Sequence, residues 1–227
     1  MDDLSLSGEE LQKNLDELEY TNNWFGSKKL LINALNEIYK KYSSDFKNKR
    51  IVIGDLGCGS GDLLMAINHW AKAKKVNVEL IGFDANPYMI QYANKKYGSH
   101  SNIKYQVIDI FSHEFKEMQF DIITISSLCH HFSEKHLITL YKQLIMQARL
   151  AIIINDLHRH WISYYTIKYL SKFLKFSYLA KHDGSLSVWR AFRKQELVRL
   201  LNSAKITSYK IRWRWAFRWE IIIWLCD

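Results

Sequence analysis

Between residues 55 and 62 the chain reads Asp-Leu-Gly-Cys-Gly-Ser-Gly-Asp. Gly57, Gly59 and Gly61 stand at alternate positions, so the backbone there can turn sharply and approach a ligand with no Cβ in the way. Residues 61–74 read as a helix, and the free N–H groups of its first turn would face a carboxylate or phosphate held in the loop. The spacing discriminates among nucleotides. A dinucleotide fingerprint needs G-x-G-x-x-G, and here the third glycine comes one residue early; the phosphate loop G-x-x-x-x-G-K-[ST] is absent. Two more acidic residues close apolar runs. Asp84 ends Val78–Phe83 and carries acceptor sites for two hydroxyls at once, although an ordinary turn aspartate fits the position too. Asp109 and Ile110 end the run 103–108, and Ser126 and Ser127 end a fourth run.

Histidines mark the next places where chemistry is feasible. The segment Ser127-Leu128-Cys129-His130-His131-Phe132 follows the fourth apolar run. An imidazole with an ordinary pKa of about 6.5 can take a proton from an acceptor hydroxyl. His131 is read here as a candidate base and His130 as an acceptor contact; capping of the next helix is the competing role. After the fifth apolar run comes Asn155-Asp156-Leu157-His158-Arg159-His160-Trp161, charged residues directly behind an apolar strand. His158 and Arg159 are candidates for base or anion contact, with Asp156 and Trp161 lining the same side; a polar loop over the sheet edge explains them equally. No metal is expected, because the histidines show no zinc spacing and the cysteines do not join them.

The elements that must position these residues follow from periodicity. Residues 8–20 and 27–42 carry apolar residues at helical spacing. Short β-branched runs then alternate with helical stretches: 51–53, 78–83, 103–108, 120–125 and 150–154 as strands, 61–74, 87–97 and 134–147 as helices, with Pro87 suited to a first helical turn. Uniformly apolar strands suit a parallel sheet covered on both faces. Residues 160–180 read as one long aromatic-rich helix and 193–203 as another. Residues 205–214 and 217–225 read as two strands joined too tightly for a parallel crossover. Within 211–219, alternation of Arg212, Arg214 and Arg218 with Trp213, Trp215, Phe217 and Trp219 predicts a buried aromatic face and a polar one. The expectation is an α/β, Rossmann-like, doubly wound seven-stranded sheet of five parallel strands plus a C-terminal antiparallel hairpin, with N-terminal helices. One domain is expected over 1–227: a helical cap (1–45), a ligand-binding core (46–157), a substrate-side insertion (158–192) and a closing helix and hairpin (193–227).

The loop D-x-G-x-G-x-G after an apolar strand, with Asp84 and Asp109 following in order, resembles class I S-adenosylmethionine-dependent methyltransferases over about residues 45–157. The resemblance implies S-adenosyl-L-methionine as cofactor, held by Asp55, Gly57, Cys58, Gly59, Gly61, Asp62, Asp84, Ala85, Asp109, Ile110 and Ser126. It assigns the ribose hydroxyls to Asp84, the adenine amino group to Asp109 and the ring face to Ile110. The string NDLHRH…HDGSLSV…RAFRKQEL further resembles a bacterial small-molecule subgroup that modifies quinones and polyketides in secondary metabolism. That likeness adds His182 and Arg190 as substrate contacts and implies methylation of a small aromatic or apolar acceptor, with phenolic or enolic oxygen favoured.

Composition bounds the partners. The chain has 227 residues, 48% hydrophobic and 14% aromatic, which suits a packed globule. Its net charge of +9 leaves nucleic acid or an anionic surface open as partners. The alternatives to a small-molecule enzyme are accordingly a tRNA or rRNA methyltransferase, and a non-catalytic cofactor-binding or membrane-surface protein. Against the first, no Asn-Pro-Pro-Tyr-type element follows the fourth strand. Three cysteines without close pairing suit a reducing, cytoplasmic setting. The acidic N-terminus does not read as a signal peptide, and no apolar run approaches the roughly 20 residues of a spanning helix.

Overall fold

The computed structural model describes residues 7–24, 26–173 and 176–226. The chain opens with α1 (Glu9–Trp24), α2 (Ser27–Lys41) and the short α3 (Ser43–Asn48). Strand and helix then alternate through β1 (Ile51–Leu56), α4 (Asp62–Lys74), β2 (Val78–Asp84), α5 (Pro87–Tyr97), β3 (Ile103–Val107), α6 (His113–Lys116), β4 (Phe120–Ser126), a 3-10 turn (Cys129–His131), α7 (Glu134–Gln147) and β5 (Ala148–Leu157). The last third holds α8 (Trp161–Phe173), α9 (Tyr178–Arg190), α10 (Lys194–Ser203), β6 (Tyr209–Arg214) and β7 (Arg218–Trp224).

The strands form one seven-stranded sheet in the order β3-β2-β1-β4-β5-β7-β6. The first five are parallel, and β7 runs antiparallel between β5 and β6. This is the doubly wound sheet with a closing hairpin that the strand pattern predicts. Both faces are covered. One apolar layer sets Leu31, Leu35 and Ile38 of α2 and Leu64 and Ile67 of α4 against Ile51, Ile53 and Leu80. The other sets Leu137, Leu140 and Leu144 of α7 and Leu197, Leu200 and Leu201 of α10 against Ile123, Ile125, Ile152 and Ile221. Each fully buried Leu or Ile contributes about 1.5–3 kcal/mol by leaving water, which explains the uniformly apolar strands. Caps set the helix starts: Asn86, Ser112 and Ser133 each accept a backbone N–H of the following turn.

Three expectations are corrected. Residues 160–180 do not form one helix, and 182–188 lie inside α9. Ser177 starts that second helix: its Oγ accepts the Ala180 N–H, while its own N–H and hydroxyl donate to Glu17 of α1. Next, Asn155 and Asp156 belong to β5 itself, because β7 continues the pairing as far as Leu157↔Arg218. Finally, the alternation over 211–219 does not describe one strand. A turn over 215–217 separates β6 from β7, and the register keeps Arg214 opposite Arg218 and Trp213 opposite Trp219. β6 is the edge strand whereas β7 lies between β5 and β6, so Arg218 is buried while Trp213 and Trp215 are exposed.

Candidate active site

The strand order reverses between β1 and β4, and in an open α/β sheet the crevice at that switch point, at the carboxyl ends of the strands, receives ligands. The glycine loop leaves β1 at this point. Gly57, Gly59 and Gly61 have φ of 69°, 51° and 79°, a left-handed conformation that side chains resist. A Cβ on Gly57 would sit 3.0 Å from Leu128 Cδ1, and one on Gly61 would collide with the Tyr105 ring; at Gly59 the nearest atom, Leu15 Cδ2 of α1, is 3.8 Å away. The N–H groups of Gly57 and Cys58 donate to the Phe83 carbonyl at 2.8 and 3.0 Å, tying the loop to the end of β2.

Three carboxylates converge there. Asp84 Oδ2 accepts the Gly59 N–H at 3.2 Å and Oδ1 accepts the Asn86 N–H at 2.9 Å. Burial pushes its pKa up in spite of these donors. Asp55 is fully buried: Thr124 Oγ1 donates to its Oδ1 at 2.6 Å, and Oδ2 has no partner. Burial drives its carboxyl up to about 7; the Thr124 hydrogen bond opposes the shift, and the charges of Asp62 and Asp84 reinforce it. Asp62, at the start of α4, faces Lys28 Nζ at 3.3 Å and accepts from Ser60 Oγ at 3.2 Å and Asn22 Nδ2 at 3.4 Å. It fastens the N-terminal helices to the loop. Further along the crevice, exposed Asp109 accepts the Phe111 N–H at 2.9 Å and Ile110 is buried beside it. Ala85 lies in the turn between Asp84 and Asn86, half-buried.

The second cluster comes from adjacent strand ends. The β4–β5 register pairs Ser126 with Asn155. Ser127, at φ 53°, then donates its N–H to the Asn155 carbonyl and lets the chain enter the 3-10 turn. That turn brings His130 Nδ1 to 2.7 Å from Asp156 Oδ1, with both residues buried. His130 Nε2 has no hydrogen-bond partner. Burial opposes ionisation of Asp156, yet the His130 ring and the Arg218 guanidinium hold its carboxyl below the ordinary range. His131 lies against His130, ring centres 4.3 Å apart. Arg218 is buried at the start of β7, donating to Ser127 Oγ at 3.0 Å and to Asn155 Oδ1 at 3.4 Å. Burial pulls its guanidinium down to about 10, with Asp156 acting in the opposite sense, so it stays cationic at neutral pH.

His158, Arg159 and Trp161 are brought together elsewhere. With His160, Arg193, Lys194, Gln195 and Trp219 they line a cavity of about 560 Å³ beyond the end of β5. Neither the glycine loop nor His130 lines it. Trp213 Nε1 donates to His158 Nδ1 at 3.2 Å, and burial together with the neighbouring His160 lowers the His158 pKa. Arg159 is ion-paired with Glu196 of α10. Arg190 is exposed at the end of α9, and the His182 side chain lies outside the described residues. Sequence reasoning missed Thr124 and Arg218, polar residues inside apolar or alternating runs that become visible only once strand neighbours are known. Among the described residues no cluster of three or more His, Cys, Asp or Glu side chains is placed to hold a metal ion.

Comparison with known proteins agrees with this layout. Residues 53–147 match the family model described as methyltransferase domain. A carboxy-S-adenosyl-L-methionine synthase of Helicobacter pylori is 31% identical over 70 residues, covering 31% of this chain and 28% of its own length. The crystal structure of the plantazolicin methyltransferase BpumL, in complex with a pentazolic desmethylPZN analog and SAH, superposes with a TM-score of 0.63 at 19% identity, covering 90% of this chain and 88% of that one. Human N-acetylserotonin methyltransferase in complex with SAM gives a TM-score of 0.64 at 13% identity, covering 96% of this chain and 57% of the other. The chain therefore has the fold of these methyltransferases, and residues 53–147 are similar to a methyltransferase domain.

Proposed function

We propose that the chain methylates a small aromatic or apolar acceptor at a phenolic or enolic oxygen, using S-adenosylmethionine. The residues of the crevice fit that cofactor. Three left-handed glycines leave the loop bare, and Asp84, held by backbone N–H donors of the loop and of its own turn, lies where ribose hydroxyls would meet a carboxylate. The orphaned Oδ2 of buried Asp55 suits the α-ammonium group. Asp109 and Ile110 supply an acceptor and an apolar wall for the adenine. When bound, S-adenosylmethionine supplies an electrophilic methyl group on a sulfonium that leaves as a neutral thioether. Because charge is dispersed in that step, a dry crevice favours it, and the protein's main task is to position the acceptor.

The observation that carries the acceptor reading is the buried His130–Asp156 pair. Asp156 accepts the Nδ1–H, which fixes the tautomer and leaves the Nε2 lone pair free. Nε2 takes the proton of the acceptor O–H as the oxygen attacks, and the Asp156 carboxylate stabilises the imidazolium that forms. His131 beside it is a second acceptor contact. The cavity lined by His158, Arg159 and Trp161 mixes cationic and aromatic groups, so it suits entry of an aromatic, acidic molecule from that side.

Methyl transfer from tritiated S-adenosylmethionine to a panel of phenols and enols tests this. General-base catalysis is worth about 10²–10⁴ in rate, so His130→Gln should lower kcat by at least about 10² at unchanged cofactor affinity. Full activity in His130→Gln would remove His130 as the base.

A further inference from the structure

The net charge of +9 is unevenly placed. Residues 158–218 contain 14 of the 32 Lys and Arg but 2 of the 23 Asp and Glu, a surplus of twelve positive charges that leaves the rest of the chain three negative. The same segment carries most of the exposed large apolar side chains. Trp161, Ile162, Tyr165 and Tyr169 follow helical spacing along one face of α8, and all four are exposed. Trp161 and Trp215 are 67% and 72% exposed, values far above those of a packed aromatic. A chain of ring contacts joins the two: Trp161 to His160, His160 to Phe217, and Phe217 to both Trp213 and Trp215. Lys168 lies over the Tyr164 ring at the edge of this face, and Lys194 is exposed near Trp161 across the cavity. No helix among the described residues is long and apolar enough to cross a membrane.

From the coincidence of exposed Trp, Tyr and Ile with a local cationic surplus, we infer that the α8 face and the β6–β7 turn dock on an anionic lipid bilayer. Trp and Tyr favour the headgroup level, where one end of the ring is apolar and the other wet. Lys and Arg beside them meet anionic headgroups, and the two contributions together give reversible surface binding. A nucleic acid would also match the charge, but its bases need open ring faces. Here Tyr165 and Tyr169 stack on each other with ring planes 17° apart, and His160 lies within 25° of parallel to both Trp161 and Phe217. Ile162 offers a base nothing and a bilayer an apolar contact. Docked this way, the mouth of the cavity lined by His160 and Trp161 would open at the membrane surface. This inference does not depend on the methyl-transfer reading.

The test is co-sedimentation of the full chain with phosphatidylcholine vesicles and with mixed phosphatidylcholine–phosphatidylglycerol vesicles. Binding to the mixed vesicles alone, weakened by salt, is expected. The triple variant Ile162→Ser, Tyr165→Ser, Tyr169→Ser should lose it with an unchanged unfolding midpoint, since all three side chains are exposed. Should the triple variant unfold, the Lys168→Glu, Lys194→Glu pair decides. Each interfacial cation is worth about fivefold in affinity, and charge reversal adds repulsion to that loss, so the pair should weaken binding by at least about thirtyfold. No binding to the mixed vesicles, or binding that neither variant reduces, overturns the inference. So does RNA binding with the same sensitivity to both variants, or a dimer in light scattering that the triple variant dissolves.

Discussion

Asp55 gives the sharpest physical prediction. Its carboxyl stands at about 7 against an ordinary value of 3.8, chiefly because it is buried, with one oxygen bonded to Thr124 and the other unpartnered. The unfolded chain releases this proton near the ordinary value, whereas the folded chain keeps it until about pH 7. Between those limits the folded state binds the extra proton, so stability falls as pH rises toward 7 and is level above it. At about 1.4 kcal/mol per pKa unit, the window from pH 5 to pH 7 corresponds to about 2.5 kcal/mol. Asp55→Asn removes the titration while retaining an acceptor for Thr124. Urea unfolding of both proteins at closely spaced pH values is the assay. The variant should gain about 2.5 kcal/mol over wild type between pH 5 and 7, with no further gain above. Cofactor binding supplies a second readout. An ammonium group at Oδ2 would favour the carboxylate, so binding below pH 7 should release a proton, detectable by calorimetry in buffers of different ionisation enthalpy. A stability difference flat across this range, together with binding that releases no proton, would refute the reasoning.

Two further substitutions probe the frame around the site. Gly61→Ala places a Cβ at φ 79° against the Tyr105 ring; left-handed strain alone costs about 1–2 kcal/mol, so denaturant unfolding should show a loss of at least that size together with weakened cofactor binding. Glu220 is buried in β7 and accepts from Arg212 Nε at 2.8 Å and Arg214 Nε at 2.6 Å. Glu220→Ala strips both guanidinium groups of that carboxylate and should cost about 3 kcal/mol in chemical denaturation; a change under about 1 kcal/mol would mean that solvent screens the pair.

The core of the fold was legible because its strands are short β-branched runs such as Ile51–Ile53 and Phe120–Ile125, and because the glycine spacing marks one strand–helix junction. The His130–Asp156 pair was half legible. Both residues follow apolar runs in the sequence, but only the β4–β5 register turns a separation of 26 residues into a 2.7 Å contact. Arg218 was hidden because the alternation over 211–219 separates two faces without telling which strand lies inside the sheet: β6 is at the edge, while β7 is enclosed by β5 and β6. The break between α8 and α9 was equally hidden, since Ser177 is held by Glu17, a residue 160 positions away. Local periodicity carries no information on such a contact. The cavity beyond β5 combines both cases: His158, Arg159 and Trp161 stood out as a string, while Arg193 and Lys194 joined them only through the placement of α10.

The central claim is that the crevice at the end of β1 and β2 holds S-adenosylmethionine, with Asp84 on the ribose. Calorimetric titration of wild type and Asp84→Ala tests it most directly. Each hydrogen bond to a charged group is worth about 1.5–3 kcal/mol, and losing two of them weakens binding by about 10² or more. The account predicts saturable one-to-one binding by wild type and a loss of at least about that factor in the variant. No binding by folded wild type, or equal affinity in Asp84→Ala, would contradict it.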